Sequence, residues 1–379
     1  MRGYHRCADQ PCRKLILRPA WLFVGLVDAI FLPNFKGELE HMADSKNIGW
    51  GLIGASDIAK TRMIDAINGQ PDSAVVAVMS MSEERAKHYA AENGIPRYYA
   101  SVEALIADRD VDVVYVSTTN ERHKHEVTLA ANAGKHVLCE KPLALTMPDA
   151  REMLEICKKA HVVLGTNHHL RNAVTHRTLR RLIKEGAIGK PLAARVFHAV
   201  YLPPRLQGWR LEKPGAGGGV IMDITVHDAD TLHFALDDDA EEVVALSGRQ
   251  GLAKSGLEDA VMGAIRFRSG LLAQFHDAFT IKHTRTGFEV HGTDGSLIAE
   301  DVMTQEPRGQ LFFQKDEKRE EIDLGQHEDL YARQVRLFNA AMNGQGTPFA
   351  TGEDGVRSLA VATAVLESAK TGQRVAVQY

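Results

Sequence analysis

Lys141 stands in HVLCEKPLAL, residues 136–145, where strand-forming residues run into Glu-Lys-Pro. A cation just past a buried strand can polarise a carbonyl oxygen that is gaining charge. It can equally be a snorkelling surface lysine. Pro142 restricts Lys141 to an extended conformation. Glu140 beside it is placed either to orient the ammonium or to bind a ribose hydroxyl. Asp223 and His227 form another chemical pair, four residues apart and just after the triple glycine Gly217–Gly219. Helical spacing puts them on one face. A carboxylate beside an imidazole fixes its tautomer and raises its basicity, so Asp223 is expected to orient His227. Two other readings of the pair stay open. It can be a buried, mutually satisfied structural pair, or, with Asp230, part of a metal site at i, i+4 and i+7. No further ligand set with recognisable spacing appears, so no metal is expected. His168 and His169 are adjacent and point differently; they read as the edge of a substrate cleft.

A phosphate-binding turn precedes these groups. Gly54-Ala55-Ser56-Asp57-Ile58-Ala59 follows the first apolar run. It matches G-x-G-x-x-G/A with Ser56 at the second glycine position and Ala59 at the third. Such a turn lets backbone approach a pyrophosphate at a helix N-terminus. The next apolar run ends in Ser80 and Met81, with no acid to take a ribose 2′-hydroxyl. A serine leaves room for a 2′-phosphate, and Arg85 can pair with one bidentately. NADPH is therefore predicted over NADH, although Arg85 also reads as a solvated helix residue. Further on, Ser117-Thr118-Thr119-Asn120-Glu121-Arg122-His123 ends VDVVYVST. Polar groups there can meet a ligand or cap a helix; His123 reads equally as a cofactor contact or a helix-surface histidine.

These groups need a scaffold, and the hydrophobic pattern supplies one. Apolar runs at 48–54, 75–80, 111–118, 136–140 and 162–166 alternate with stretches of helical spacing. Thr146 with Asp149 resembles a capping box. Continuous apolar strands between helices predict a doubly wound α/β domain of Rossmann type with a parallel sheet, residues 47–167. Residues 168–379 read as α+β, with a large, mainly antiparallel sheet, hairpin turns at Ser269-Gly270 and Asp294-Gly295, and a closing helical segment from about Leu330. The chain of 379 residues has net charge −4 and lacks a basic stripe, which argues against nucleic acid as partner. Its four cysteines show no paired spacing, so a reducing compartment is expected. Residues 1–46 combine a basic start with an interrupted apolar run and no small-x-small cleavage site. They read as an extension, unstructured or from a mis-set start, with export or membrane association left open.

The Glu-Lys-Pro after HVLCE and the D-x-x-x-H after the triple glycine resemble those of the Gfo/Idh/MocA oxidoreductases. The resemblance runs through GASDIA, VYVSTTNE, LGTNHHLRNA, LQGWRLE, QFHDAFT and GFEVHGTDGSL, so it spans residues 47–379. It implies Lys141, Asp223 and His227 as the catalytic set, with His227 donating the proton. It implies NADPH contacts from Gly54, Ser56, Asp57, Ile58, Ala59, Ser80, Met81, Arg85, Thr118, Thr119, Asn120, Glu121, Arg122, His123, Glu140, Lys141, Asn167, Trp209, Arg210 and Tyr331. The longer segments are similar to the branch that reduces 1,5-anhydro-D-fructose to 1,5-anhydro-D-mannitol. Alternatives are another sugar or polyol dehydrogenase (inositol, aldose or dicarbonyl sugar), or a non-catalytic NADPH sensor. The resemblance also implies a small sugar partner, a cytoplasmic enzyme, no membrane association for residues 47–379, and a possible homo-oligomer through the C-terminal sheet.

Overall fold

The computed structural model describes residues 47–379, so the expectations for residues 1–46 lie outside the described residues. The first sheet is parallel and has six strands: β1 (Ile48–Ile53), β2 (Ser73–Met79), β3 (Arg97–Tyr99), β4 (Val113–Val116), β5 (His136–Cys139) and β6 (Leu164–Thr166). Their order is β3-β2-β1-β4-β5-β6. Helices cover both faces, which is why every residue of β1 and β4 is buried. The order reverses between β1 and β4. That switch point opens a crevice at the carboxyl ends of the strands. The sequence reading passed over β3, a short edge strand with no fully buried residue and hence no apolar signal.

The second sheet has nine strands: β7 (Pro191–Ala199), β8 (Ala240–Gly248), β9 (Ala260–Phe267), β10 (Leu272–Ala278), β11 (Gly287–Gly292), β12 (Ser296–Glu300), β13 (Gln310–Lys315), β14 (Lys318–Glu321) and β15 (Val375–Ala376). Their order is β14-β13-β12-β11-β7-β10-β9-β8-β15, and only the β7–β10 pair is parallel. The turns at Ser269-Gly270 and Asp294-Gly295 do join β9 to β10 and β11 to β12, as the pattern predicts. The helices Val226–Leu236 and Gly352–Thr371 bury the inner face in one apolar core. The other face leaves Leu246, Met262 and Leu272 more than half exposed. Helix Leu330–Met342 returns to the first sheet, where Tyr331, Val335 and Phe338 pack with Trp50 and Leu52. Among the described residues, no helix is long and apolar enough to cross a membrane.

Candidate active site

The crevice at the switch point is a cleft of about 720 Å³. One wall comes from the carboxyl ends of β1, β2, β4 and β5. The other comes from helix Pro204–Glu212 and from Asp223. Gly54 turns the chain out of β1 with φ +112°, and a Cβ there would lie 3.1 Å from the Ser117 carbonyl. Only glycine fits both the angle and the space. Ser56, in the second glycine position, accepts from the Ala59 N–H at 3.1 Å and lies 2.8 Å from the Ser117 hydroxyl. It thus caps the helix that follows. Arg85 reaches back over the turn and donates to the Ala55 carbonyl at 2.7 Å. Ser80 and Met81 lie beside it, with no carboxylate at the strand end. The residues therefore fit a dinucleotide: a close-approach turn at a helix start, with a guanidinium over the turn and no carboxylate at the end of β2.

Of the expected contacts, Asp57, Ile58, Thr118, Thr119, Asn120, Arg122, Glu140, Trp209 and Arg210 also line the cleft. Ala59, Glu121, His123, Asn167 and Tyr331 do not. Ala59 is buried under the turn. The Glu121 carboxylate turns to the Thr119 hydroxyl at 2.8 Å. His123 is fully buried, and its Nδ1 is 2.9 Å from the Pro142 carbonyl, so it braces the turn that carries Lys141. Tyr331 is buried with its hydroxyl unpartnered and its ring stacked on His169, 5.0 Å between centroids.

Lys141 is tied across the cleft. Its ammonium donates to the Asp223 carbonyl at 2.7 Å and to the Asp223 carboxylate at 2.8 Å. Glu140 does not orient this ammonium. Its carboxylate accepts from the Tyr115 hydroxyl and from the Asn167 amide, the latter at 2.6 Å. Asn167 is thus a support behind Glu140. Tyr115 was missed because, inside the apolar run VVYV, it reads as core; an aromatic hydroxyl near the end of a ligand-edge strand was the available signal.

Asp223 also differs from its expected role. Its second oxygen accepts from Arg210 Nε at 3.2 Å, and no hydrogen bond joins it to His227. Residues Ile221–Thr225 form a π-helical turn, so the spacing that aligns i and i+4 in an α-helix does not hold there. Two cations also outcompete a neutral imidazole for the carboxylate. Burial acts to raise the Asp223 pKa, but Lys141 and Arg210 prevail and bring it down to about 2. His227 sits behind this pair, with its Nδ1 unpartnered. Burial, then the Lys141 charge and neighbouring histidines, push its pKa well below the ordinary value. The imidazole is therefore neutral.

His168 and His169 do not form the cleft edge. They are buried and pack on His227, with ring centroids 5.8 and 4.9 Å away. Asp230 accepts from Arg171 at 2.7 Å instead of joining a metal site. Among the described residues, no group of three or more potential ligands is placed to hold a metal ion. Sequence reasoning missed Arg205, whose ion pair with Asp57 bridges the two walls. It also missed Gln305 in the loop after β12, which lines the cleft. A loop residue such as Gln305 carries no periodic signal that would have marked it.

Comparison with known proteins gives a consistent picture. Residues 48–168 match the model of an oxidoreductase family with an NAD-binding Rossmann fold, GFO_IDH_MocA. Residues 176–298 match the GFO/IDH/MocA C-terminal domain. The 1,5-anhydro-D-fructose reductase of Ensifer adhaerens is 58% identical over 329 residues, spanning 87% of this chain and 98% of that protein. The myo-inositol 2-dehydrogenase of Thermotoga maritima is 28% identical, spanning 87% and 97%. Among solved structures, a 3-ketoreductase from Actinomadura kijaniata, in complex with NADP and TDP-benzene, superposes with a TM-score of 0.77. It is 26% identical, covering 85% of this chain and 98% of that one.

Proposed function

Because the chain belongs to the Gfo/Idh/MocA family of NAD(P)-binding oxidoreductases, we propose that it reduces a cyclic sugar ketone, 1,5-anhydro-D-fructose, with NADPH, forming 1,5-anhydro-D-mannitol. The observation that carries the reading is the Lys141–Asp223 pair, which sets a cation at the cleft wall between the two sheets. The high identity to the Ensifer enzyme supports the substrate. In this reading residues 47–167 hold the nucleotide and residues 168–379 hold the sugar. When bound, NADPH supplies the hydride to the carbonyl carbon. Lys141 donates a hydrogen bond to the carbonyl oxygen and stabilises the charge that develops there. His227 donates a second hydrogen bond. Its neutral imidazole is a far weaker acid than an ammonium, so Lys141 delivers the proton. Asp223 fixes the Lys141 ammonium and so acts as a positioning group. Glu140, held by Tyr115 and Asn167, presents its remaining acceptor capacity to the cofactor side of the cleft. We further infer a cytoplasmic enzyme, and a second copy of the chain covering the exposed face of Leu246, Met262 and Leu272.

The test is NADPH oxidation with 1,5-anhydro-D-fructose beside a panel of aldoses, inososes and dicarbonyl sugars. Turnover with 1,5-anhydro-D-fructose and formation of the mannitol product are expected. Turnover only with another member overturns the substrate. No turnover with any leaves an NADPH sensor. The cofactor reading has its own check: Ser80→Asp should improve NADH use relative to NADPH, by placing an acid at the strand end. Unchanged preference removes Ser80 from the 2′-phosphate site.

A further inference from the structure

A second set of buried polar groups lies beneath the segment that carries Asp223 and His227, and the reaction as derived does not use it. Asp228 directly follows His227 and is 1% exposed. One of its oxygens, Oδ1, is 2.8 Å from Nδ1 of His198 on β7. Asp277, on β10, is the cross-strand partner of His198 and is fully buried. Its Oδ2 accepts from the Thr225 hydroxyl at 2.5 Å. Each carboxyl then keeps one oxygen without a partner, Oδ2 of Asp228 and Oδ1 of Asp277. His198 bonds one carboxyl and is the cross-strand partner of the other, so the two are neighbours in the core and each acts on the protonation of the other.

Two ionised carboxylates in contact inside a dry core are prohibitively costly. A proton between the two orphan oxygens satisfies both at once. We propose that Asp228 and Asp277 share one proton, and that this acid–carboxylate pair positions His227 by pinning the residue next to it to the second sheet. Burial pushes Asp228 up to about 7 and raises Asp277 well above the carboxylate range. His198, which holds the outer oxygen of Asp228, is pushed down to about 4, first by burial, and so donates as a neutral imidazole. The groups facing the pair are His198 and Thr225. Beyond His198 lie His176, also pushed down, and Lys141 and Asp223 from the cleft. None of them touches the orphan oxygens.

The sign follows. Both folded pKa values lie above the unfolded one, so the stability that protonation contributes is fully present below about pH 4 and is lost as pH rises, through about 7 for Asp228 and higher still for Asp277, which keeps the shared proton longest. Its loss sets two carboxylates against each other and drives Asp228 away, and His227 with it. Turnover and melting temperature should therefore decline together on the alkaline side.

The proposal rests on His227 standing at the reacting oxygen, and its test separates the two claims. In the full-length wild type, the infrared carbonyl band of a buried protonated carboxyl is expected, deuterium-sensitive and lost in Asp228→Asn and in Asp277→Asn. Persistence of the whole band in both variants overturns the shared proton. Asp277→Asn supplies a permanent donor where the proton sat. It should move the alkaline limbs of kcat and of melting temperature together to higher pH, by about one unit or more. Limbs that stay at the wild-type pH overturn the positioning role, whatever the substrate proves to be. Should Asp277→Asn not fold, the wild-type band and its loss in Asp228→Asn still decide the proton.

Discussion

Asp223 and Asp228 sit five residues apart on one helical stretch, both buried, and their chemistry is opposite. Asp223 is brought down to about 2, whereas Asp228 is pushed up to about 7. Burial acts on both in the same upward direction. What differs is the neighbour: Asp223 meets Lys141 and Arg210 across the cleft, while Asp228 meets another carboxyl and a neutral histidine. Depth alone therefore does not set the charge of a buried acid; the partner across the interface does. One side of the segment is an ion pair open to a ligand, and the other is a proton-bridged core contact.

Removing the cation should have the largest effect. Lys141→Ala is expected to lower kcat by about a hundredfold or more, because the carbonyl oxygen loses its charged donor and its proton source. The same variant should raise the pKa of Asp223, which NMR titration can follow. Near-wild-type turnover would end the role given to Lys141. His227→Ala is expected to cost somewhat less, about tenfold to a hundredfold, because it removes one neutral hydrogen bond. His227→Gln, which keeps a donor, should recover part of it. If the alanine variant instead costs more than Lys141→Ala, the proton comes from His227.

Acid stability separates the two carboxyls with a smaller effect. Asp223 has a depressed folded pKa, so its contribution is present above about pH 4 and is lost as pH falls toward 2. The shift corresponds to about 2 kcal/mol. Asp223→Asn should therefore flatten the acid limb of chemical-denaturation stability between those values. An unchanged acid limb would mean that Asp223 is not ion-paired in solution.

The scaffold was far more legible than the contacts. Continuous apolar runs at 48–54 and 111–118 identify β1 and β4 because burial on both faces leaves no room for polar residues. Gly54 and Lys141 were readable because a turn and a strand end fix where their backbone lies. The Asp223–His227 pairing was not. Four-residue spacing assumes an α-helix, and the π-turn at Ile221–Thr225 together with Lys141, 82 residues away in sequence, decides the matter. Asn167, His123 and Tyr331 were expected at the cofactor and are not among the residues that line the cleft. Sequence proximity to the ligand edge does not distinguish a side chain facing the cleft from one supporting it.

Arg210 gives the smallest and sharpest test of the comparison. It holds Asp223 through one hydrogen bond of 3.2 Å, and its side chain is 24% exposed, against 11% for Lys141. Water and ions therefore screen its share of the pair, and an interaction of that kind contributes on the order of 1 kcal/mol or less. Arg210→Ala should lower kcat by no more than about fivefold on that scale. Arg210 also lines the cleft and packs over the Trp209 ring. The variant should consequently raise the KM for NADPH proportionally more than it lowers kcat. Steady-state kinetics in both substrates measures the split. A kcat loss as large as that of Lys141→Ala would mean that Arg210, not Lys141, keeps Asp223 ionised, and the contrast between the two carboxyls would have to be redrawn around the guanidinium.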